Sequence, residues 1–113
     1  MSKRTLDETG RDEQTPRRRK VYISGPMTGL PEHNFPAFNA AAEMIRDTGA
    51  EVVNPAEINV PGTGVWSDYM RADIKQLCDC CSIYMLDGWM SSKGAYVEFF
   101  IARELGMKIY FER

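Results

Sequence analysis

The chain has 113 residues, 43% of them hydrophobic, which suffices for one small domain with its own core and is too few for two. It contains no apolar run near the roughly 18 residues that a membrane span needs, and its charged N-terminus lacks the apolar segment of a secretory signal. Residues 1–20 carry seven Lys/Arg and four Asp/Glu, whereas residues 21–113 carry seven and twelve, a net charge of −5. This acidity argues against a long nucleic acid as partner, because such binding depends on neutralising phosphates.

Strands and helices alternate along the chain from residue 20 onward. Residues 1–19 are polar and aperiodic, and we expect them to form a disordered basic tail. The predicted elements are strand 21–24, helix 35–48, strand 51–53, helix 68–78, strand 82–86, helix 91–106 and strand 107–111. Asn34 and Ser67 are predicted to cap the first two helices, and Gly49 to follow the end of the first.

This β-α-β-α-β-α-β order predicts a parallel sheet with helices on both faces. Right-handed crossovers then favour a small doubly wound three-layer sandwich, flavodoxin-like or Rossmann-like, with four to five parallel strands in one domain, residues 20–113. The expected strand order is 2-1-3-4, with the switch point between strands 1 and 3. Ligands of such sheets bind at the switch point. The crevice there would be lined by Gly25–Gly29, the loop 87–94 and the start of the last helix.

The three cysteines, Cys78, Cys80 and Cys81, fall within four positions, and His33 is the only histidine. An odd, crowded set is poor disulfide material and predicts a reducing, cytoplasmic location. Metal binding would need a second ligand pair, which the sequence lacks. We therefore expect buried thiols, with Cys78 on the inner face of its helix, and no metal site.

Glu98 is the residue that most favours an active site. At about 3.6 residues per turn it shares an otherwise apolar helix face. The other members of that face are Gly94, Val97, Ile101, Ala102 and Leu105. A carboxylate there is costly unless it is paired, hydrogen-bonded or used in chemistry. The alternative is a structural Glu98 satisfied by backbone amides or an arginine.

The opposite face of the Glu98 helix carries Tyr96, Phe99, Phe100 and Arg103. Three aromatic side chains facing away from the core indicate a further covering layer. A second copy of the chain is the simplest cover, which predicts a homodimer or larger homo-oligomer. The loop 56–66 is the alternative cover.

Three motifs could serve a reaction at the crevice. Asp73 borders the apolar face of helix 68–78 and could pair with Glu98 as nucleophile and acid, although a solvated Asp73 is the plain alternative. The turn Gly25–Gly29 can present backbone N–H groups to a phosphate or sugar, yet it matches no nucleotide-binding fingerprint. The segment Ser91-Ser92-Lys93-Gly94 combines hydroxyl groups with a helix N-terminus, which suits an anion. The alternative is that Ser92 is an ordinary N-cap.

Together these segments resemble the nucleoside 2-deoxyribosyltransferase-like family, which includes the deoxyribosyltransferases and the 2′-deoxynucleoside 5′-monophosphate N-glycosidases. The resemblance covers about residues 20–112. Its segments are Val21–Gly29, Phe38–Gly49, Val52–Pro55, Asp73, Asp79, Leu86–Gly88 and the Gly94-x-x-x-Glu98-x-x-x-Ala102 helix. The chain looks closest to a compact branch that is often seen in phage and prophage contexts.

The resemblance implies roles for residues of this chain. Glu98 matches the nucleophile that attacks C1′ and forms a glycosyl-enzyme, Asp73 the acid that assists departure of the base, and Tyr22 a tyrosine that orients the nucleophile. No metal or redox cofactor is implied, and the substrate is a small nucleoside or nucleotide. The substrate-binding residues would be Ser24, Gly25, Pro26, Met27, Thr28, Gly29, Asn54, Asp87, Gly88, Ser91, Ser92, Lys93 and Gly94.

The chain departs from the family in two ways. Only Glu112 and Arg113 follow the last strand, whereas some transferases lend a C-terminal segment to a neighbouring active site, so hydrolysis is favoured over base transfer. Lys93 and Arg71 are the only obvious cations for a 5′-phosphate. Two other hypotheses remain open: a protein that binds a nucleotide or nucleotide-derived signal without cleaving it, and an interaction module that uses its basic tail and aromatic helix face.

Overall fold

The computed structural model describes residues 19–58 and 64–113, which form a four-stranded parallel sheet with three α-helices. The elements are β1 (Lys20–Ser24), α1 (Phe35–Arg46), β2 (Glu51–Val53), α2 (Trp66–Cys78), β3 (Ser82–Met85), α3 (Lys93–Glu104) and β4 (Lys108–Phe111). The strand order is β2-β1-β3-β4, which confirms the small doubly wound sandwich. The predicted disordered tail, apart from Arg19, and residues 59–63 of the loop 56–66 lie outside the described residues.

The helices divide between the two faces of the sheet as right-handed crossovers require. α1 covers one face, over a core that contains Val21, Ile23 and Phe38. α2 and α3 cover the other face, where Tyr22, Leu77, Ile83, Met85, Ala95 and Ala102 are buried. No helix in the described part of the chain is long and apolar enough to cross a membrane.

The carboxyl ends of β1 and β3 meet at the predicted switch point, where Ser24 pairs with Met85. The loops that follow these strands therefore touch. A Cβ at Gly25 would lie 2.7 Å from the Cβ of Leu86, and one at Gly88 would lie 3.4 Å from Cγ of Pro26. The close approach explains why glycine occupies position 25, and it brings the two loops together at the predicted switch point.

Asn34 occupies the predicted N-cap position of α1 without a capping hydrogen bond, and the predicted cap at Ser67 is wrong. Asn34 immediately precedes α1, but it has a left-handed φ of 62°, and its Nδ2 donates to the carbonyl of Pro26 at 2.9 Å instead of accepting from α1. Ser67 lies inside the first turn of α2 because that helix begins at Trp66. α1 ends at Arg46, two residues before the predicted end, while Gly49 follows with the expected positive φ of 93°.

The predicted orientations of three side chains on these helices are also wrong. Phe99 was expected on the outer face of α3, but it packs against the inner core with its ring centroid 4.6 Å from that of Trp89. The short 3-10 helix Trp89–Ser91 brings Trp89 over α3 and so turns Phe99 inward. Leu105, expected inside, is 57% exposed, and Cys78 is exposed at the end of α2.

Candidate active site

Two hydroxyl groups of β1 hold the Glu98 carboxylate in place. Glu98 lies on α3 and is 5% exposed. The Tyr22 hydroxyl donates to Oε2 at 2.9 Å, and the Ser24 hydroxyl donates to Oε1 at 2.6 Å. Each carboxylate oxygen therefore accepts one hydrogen bond from β1. These two donors are neutral hydroxyl groups and not the backbone amides or arginine of the structural alternative. They therefore supply no positive charge to the Glu98 carboxylate.

The sequence of β1 explains this arrangement. Alternate residues of a strand point to the same face, so Tyr22 and Ser24 both face α3 while Val21 and Ile23 face α1. Tyr22 and Ser24 are 0% and 1% exposed. The predicted contact of Tyr22 with Glu98 is confirmed. Ser24 was predicted only as a substrate-binding residue, although a second hydroxyl two positions after Tyr22 in a buried strand was a readable signal for the same acceptor.

The environment of Glu98 favours its protonated form. Burial is the main cause that raises the pKa of Glu98 to about 7. The hydrogen bond from Ser24 lowers the pKa, the charge of Asp73 raises it, and the hydrogen bond from Tyr22 lowers it. The pKa of Tyr22 is raised well above its usual value, first by burial and then by the charge of Glu98. Tyr22 therefore stays protonated and acts as a hydrogen-bond donor at any ordinary pH.

Asp73 lies on α2, the helix that packs against α3. It is half-buried, and burial raises its pKa to about 6. Its charge also acts on both Glu98 and Tyr22, which shows that the two carboxyl groups share one electrostatic environment. The plain alternative, a fully solvated Asp73, is inconsistent with this burial. Two carboxyl groups with raised pKa values in one crevice are typical of acid–base and nucleophilic chemistry.

The contact between α2 and α3 sets the position of the two carboxyl groups. Trp66, Met70 and Asp73 follow one another at helical spacing along α2. A Cβ at Gly94 would lie 3.2 Å from Sδ of Met70 and 3.9 Å from Nε1 of Trp66. Gly94 lies one turn before Glu98, and it lets the two helices approach here. Trp66, which the sequence analysis did not single out, is 44% exposed at the opening of α2, and Nζ of Lys93 lies 4.5 Å above its ring.

The two predicted substrate loops meet where Gly88 approaches Pro26. Ser92 caps α3 by accepting the Ala95 N–H at 3.2 Å, as predicted, and Ser91 Oγ donates to the Gly88 carbonyl at 2.9 Å. The Asp87 N–H donates to Oε1 of Glu112 at 2.7 Å. The Asp87–Ser91 turn borders a cavity of about 300 Å³ that extends to β4. Binding of substrate by these loops stays a prediction.

Asn54 has structural hydrogen bonds at the end of β2. It is 2% exposed, its Nδ2 donates to Oδ1 of Asn39 at 2.9 Å, and its Oδ1 accepts the Ala56 N–H at 3.0 Å. These bonds tie β2 to α1 and to the turn that follows. They account for Asn54 without a ligand, so its predicted contact with substrate has no support from the geometry.

The outer surface of α3 is aromatic, as predicted, with a different membership. Tyr96 and Phe100 are 55% and 53% exposed. Phe111 from β4 is 50% exposed and lies 6.0 Å from Trp89 between ring centroids. The exposed surface thus continues from α3 onto β4. Elsewhere, the described residues contain no group of His, Cys, Asp or Glu that could hold a metal ion.

Comparison with known families and proteins gives one result. The family described as domain of unknown function DUF4406 matches residues 19–111, which is nearly all of the described domain. A comparison with curated proteins gave no match.

Proposed function

The chain belongs to the DUF4406 family, and from that premise and the site at Glu98 we propose that it cleaves the N-glycosidic bond of a 2′-deoxynucleoside or its 5′-monophosphate. The observation that carries the proposal is a buried carboxylate with a hydroxyl donor on each oxygen and a second perturbed carboxyl group beside it. The likeness of its motifs to the nucleoside 2-deoxyribosyltransferase-like family supports the same reaction.

The proposed reaction has two displacement steps at C1′. Glu98 attacks C1′, the C1′–N bond breaks, and the base leaves with the bonding electron pair and the proton of Asp73. Asp73, now ionised, takes a proton from water as the water oxygen attacks C1′ and releases Glu98. A second base in place of water would give transfer.

The first step requires an ionised Glu98 and a protonated Asp73 in the same molecule. Because the pKa of Glu98, about 7, lies above that of Asp73, about 6, only a minority of molecules has this arrangement, and that minority is largest between the two values. The fraction falls on either side. We therefore expect a bell-shaped pH profile with its maximum between about pH 6 and 7.

A chromatographic assay tests the proposal. The protein and its Glu98→Ala variant are incubated with deoxynucleosides, deoxynucleoside monophosphates and ribonucleotides, and free base is measured. Asp68→Asn, a first-turn carboxyl group on α2, serves as the matched control for Asp73→Asn. Base release by the wild type and the control, lost in both site variants, supports the proposal. Undiminished release by Glu98→Ala contradicts the mechanism.

A non-catalytic nucleotide-binding protein is the second candidate. Glu98 is 5% exposed and both of its oxygens already have donors, which leaves little open carboxylate surface for attack on a sugar. This arrangement also fits a rigid binding scaffold. Calorimetry distinguishes the two functions: tight binding, with the intact nucleotide recovered after long incubation, favours the binding protein.

The same proposal includes a cytoplasmic homodimer or larger homo-oligomer. The exposed aromatic surface formed by Tyr96, Phe100 and Phe111 supports association, because large exposed aromatic side chains are enriched at interfaces. This surface adjoins the Asp87–Ser91 turn through Trp89. A partner copy bound there would lie next to the proposed substrate loops.

A further inference from the structure

The sheet has a second concave surface, on the face opposite Glu98. The crossovers into β3 and β4 place both α2 and α3 on the Glu98 face, so α1 is the only described helix on the other face, where it packs on β1 and β2. Over β3 and β4 a groove of about 720 Å³ remains, bounded on one side by Val21 and Ile45. A volume of this size falls within the range of small-molecule pockets, roughly 300–1,000 Å³.

The floor of this groove is formed by two tyrosines that pair across neighbouring strands. Tyr84 of β3 is directly opposite Tyr110 of β4 in the parallel register, and both line the groove. Neighbouring strands lie about 4.8 Å apart, so the two side chains start from adjacent positions on the same sheet face. Tyr84 is half-buried and Tyr110 is 41% exposed. Paired aromatic rings on an open sheet face are suited to stacking a planar ring system.

Cations border one end of the tyrosine pair. Lys108 is two residues before Tyr110 on the same strand face, and it is opposite Ser82, which pairs in turn with Val21. Arg19 is two residues before Val21 and lines the groove. Both cations therefore lie at the amino end of the strands. At the other end lie Arg113 and Glu112.

The charge at this groove differs from that of the domain around it. Residues 21–113 carry a net charge of −5, whereas the groove is lined by two cations, Arg19 and Arg113, and one carboxylate, Glu112. Lys108 lies beside the lining residue Ile109 on β4. The Glu112 carboxylate already accepts the Asp87 N–H at 2.7 Å. Local positive charge on an acidic domain favours an anionic ligand. None of the residues proposed for catalysis lines the groove.

We propose that this groove is a second binding site, for a planar aromatic anion of mononucleotide size. Its ring system stacks on Tyr84 and Tyr110, and its anionic group lies toward Arg19 and Lys108. The groove volume of about 720 Å³ suits a single nucleotide and not a strand of several. The site is separate from the proposed hydrolysis and does not depend on it.

Two-dimensional amide NMR of the full-length protein, titrated with adenosine 5′-monophosphate, tests the site. We expect saturable shifts at Tyr84, Tyr110 and Lys108, weaker binding of adenosine because it lacks the phosphate, and unchanged groove shifts in the Glu98→Ala variant. Tyr110→Ala should weaken binding about fivefold or more, since a stacked base contributes that much or more. The exposed pair Arg19→Ala/Lys108→Ala should weaken the nucleotide but not adenosine.

Three results overturn the proposal. The first is shifts confined to residues 87–98, which would place the nucleotide at the Glu98 site only. The second is shifts of the groove residues with protein concentration alone, which would make this face an interface between copies. The third is an oligodeoxyadenylate that binds tenfold more tightly than the mononucleotide. Lys75→Ala/Arg103→Ala, two exposed cations elsewhere, is the matched control, and an equal loss of affinity in it would also contradict the site.

Discussion

Replacing Tyr22 by phenylalanine isolates the contribution of one hydroxyl to the ionisation of Glu98. The hydroxyl donates to Oε2 at 2.9 Å, and both side chains are buried. A hydrogen bond to a charged group contributes about 1.5–3 kcal/mol. The bond stabilises ionised Glu98 more than the protonated acid, so its removal raises the pKa of Glu98 further above its usual value.

The expected effect on rate follows from the fraction of active molecules. A loss of about 1.5–3 kcal/mol corresponds to roughly a ten- to hundredfold shift toward protonated Glu98. Because the active arrangement is already a minority and needs ionised Glu98, the maximal rate should fall by roughly an order of magnitude or more. The pH optimum should move upward by about half to one pH unit.

The assay is base release at saturating substrate across pH 5–9, with circular dichroism to show that the fold is intact. Tyr96→Phe removes a hydroxyl from an exposed tyrosine of α3 and serves as the control. An unchanged optimum and an unchanged maximal rate in Tyr22→Phe would refute the reasoning, because the hydroxyl would then not stabilise the ionised nucleophile.

Four further results are expected. Asp73→Asn should lower kcat/KM about 100-fold or more and remove the alkaline limb of the pH profile; an unaltered alkaline limb would exclude Asp73 as the acid. Burial raises the pKa of Glu98 to about 7 in the folded protein. The contribution of Glu98 to stability is therefore complete below its unfolded pKa and is lost as the pH rises through 7. In thermal unfolding, Glu98→Gln should exceed wild type in the free energy of unfolding by up to about 3 kcal/mol at pH 8 and by less at pH 5. Gly25→Ala places a Cβ 2.7 Å from Leu86 and should lower the free energy of unfolding in urea by about 1–3 kcal/mol, whereas an unchanged midpoint would contradict the close contact. Phe100→Asp should dissociate the oligomer in light scattering, whereas Met44→Asp, at 51% against 53% exposure, should not.

The sheet was predictable because each crossover imposes one handedness. Short apolar strands alternating with amphipathic helices leave few arrangements, and the order β2-β1-β3-β4 is one of them. The position of Glu98 was predictable for a similar reason. A helix that must bury one face also buries the single carboxylate on that face, and the start of α3 follows the end of β3 at the switch point.

The errors arose where tertiary contacts outweigh local pattern. Asparagine is a favoured N-cap residue, but the side chain of Asn34 donates instead to the carbonyl of Pro26. Phe99 lies one turn from the buried Ala95 and Ala102, and Trp89 packs on it there. The contact of Ser24 with Glu98 joins residues 74 apart in sequence, and its only signal was that Ser24 shares a strand face with Tyr22. The raised pKa of Asp73 arises from burial between elements and has no signal in its own helix.

The most direct test of the central claim is to trap the covalent intermediate on Glu98. A deoxynucleoside analogue with fluorine at the 2′ position slows both displacement steps by destabilising the oxocarbenium-like transition state, and the protein is then digested and its peptides are analysed by mass spectrometry. The account predicts a fluorodeoxyribosyl adduct on the peptide that contains Glu98, lost in Glu98→Gln and present in Asp68→Asn. Release of base with no adduct, or with an adduct on another carboxylate, would contradict it.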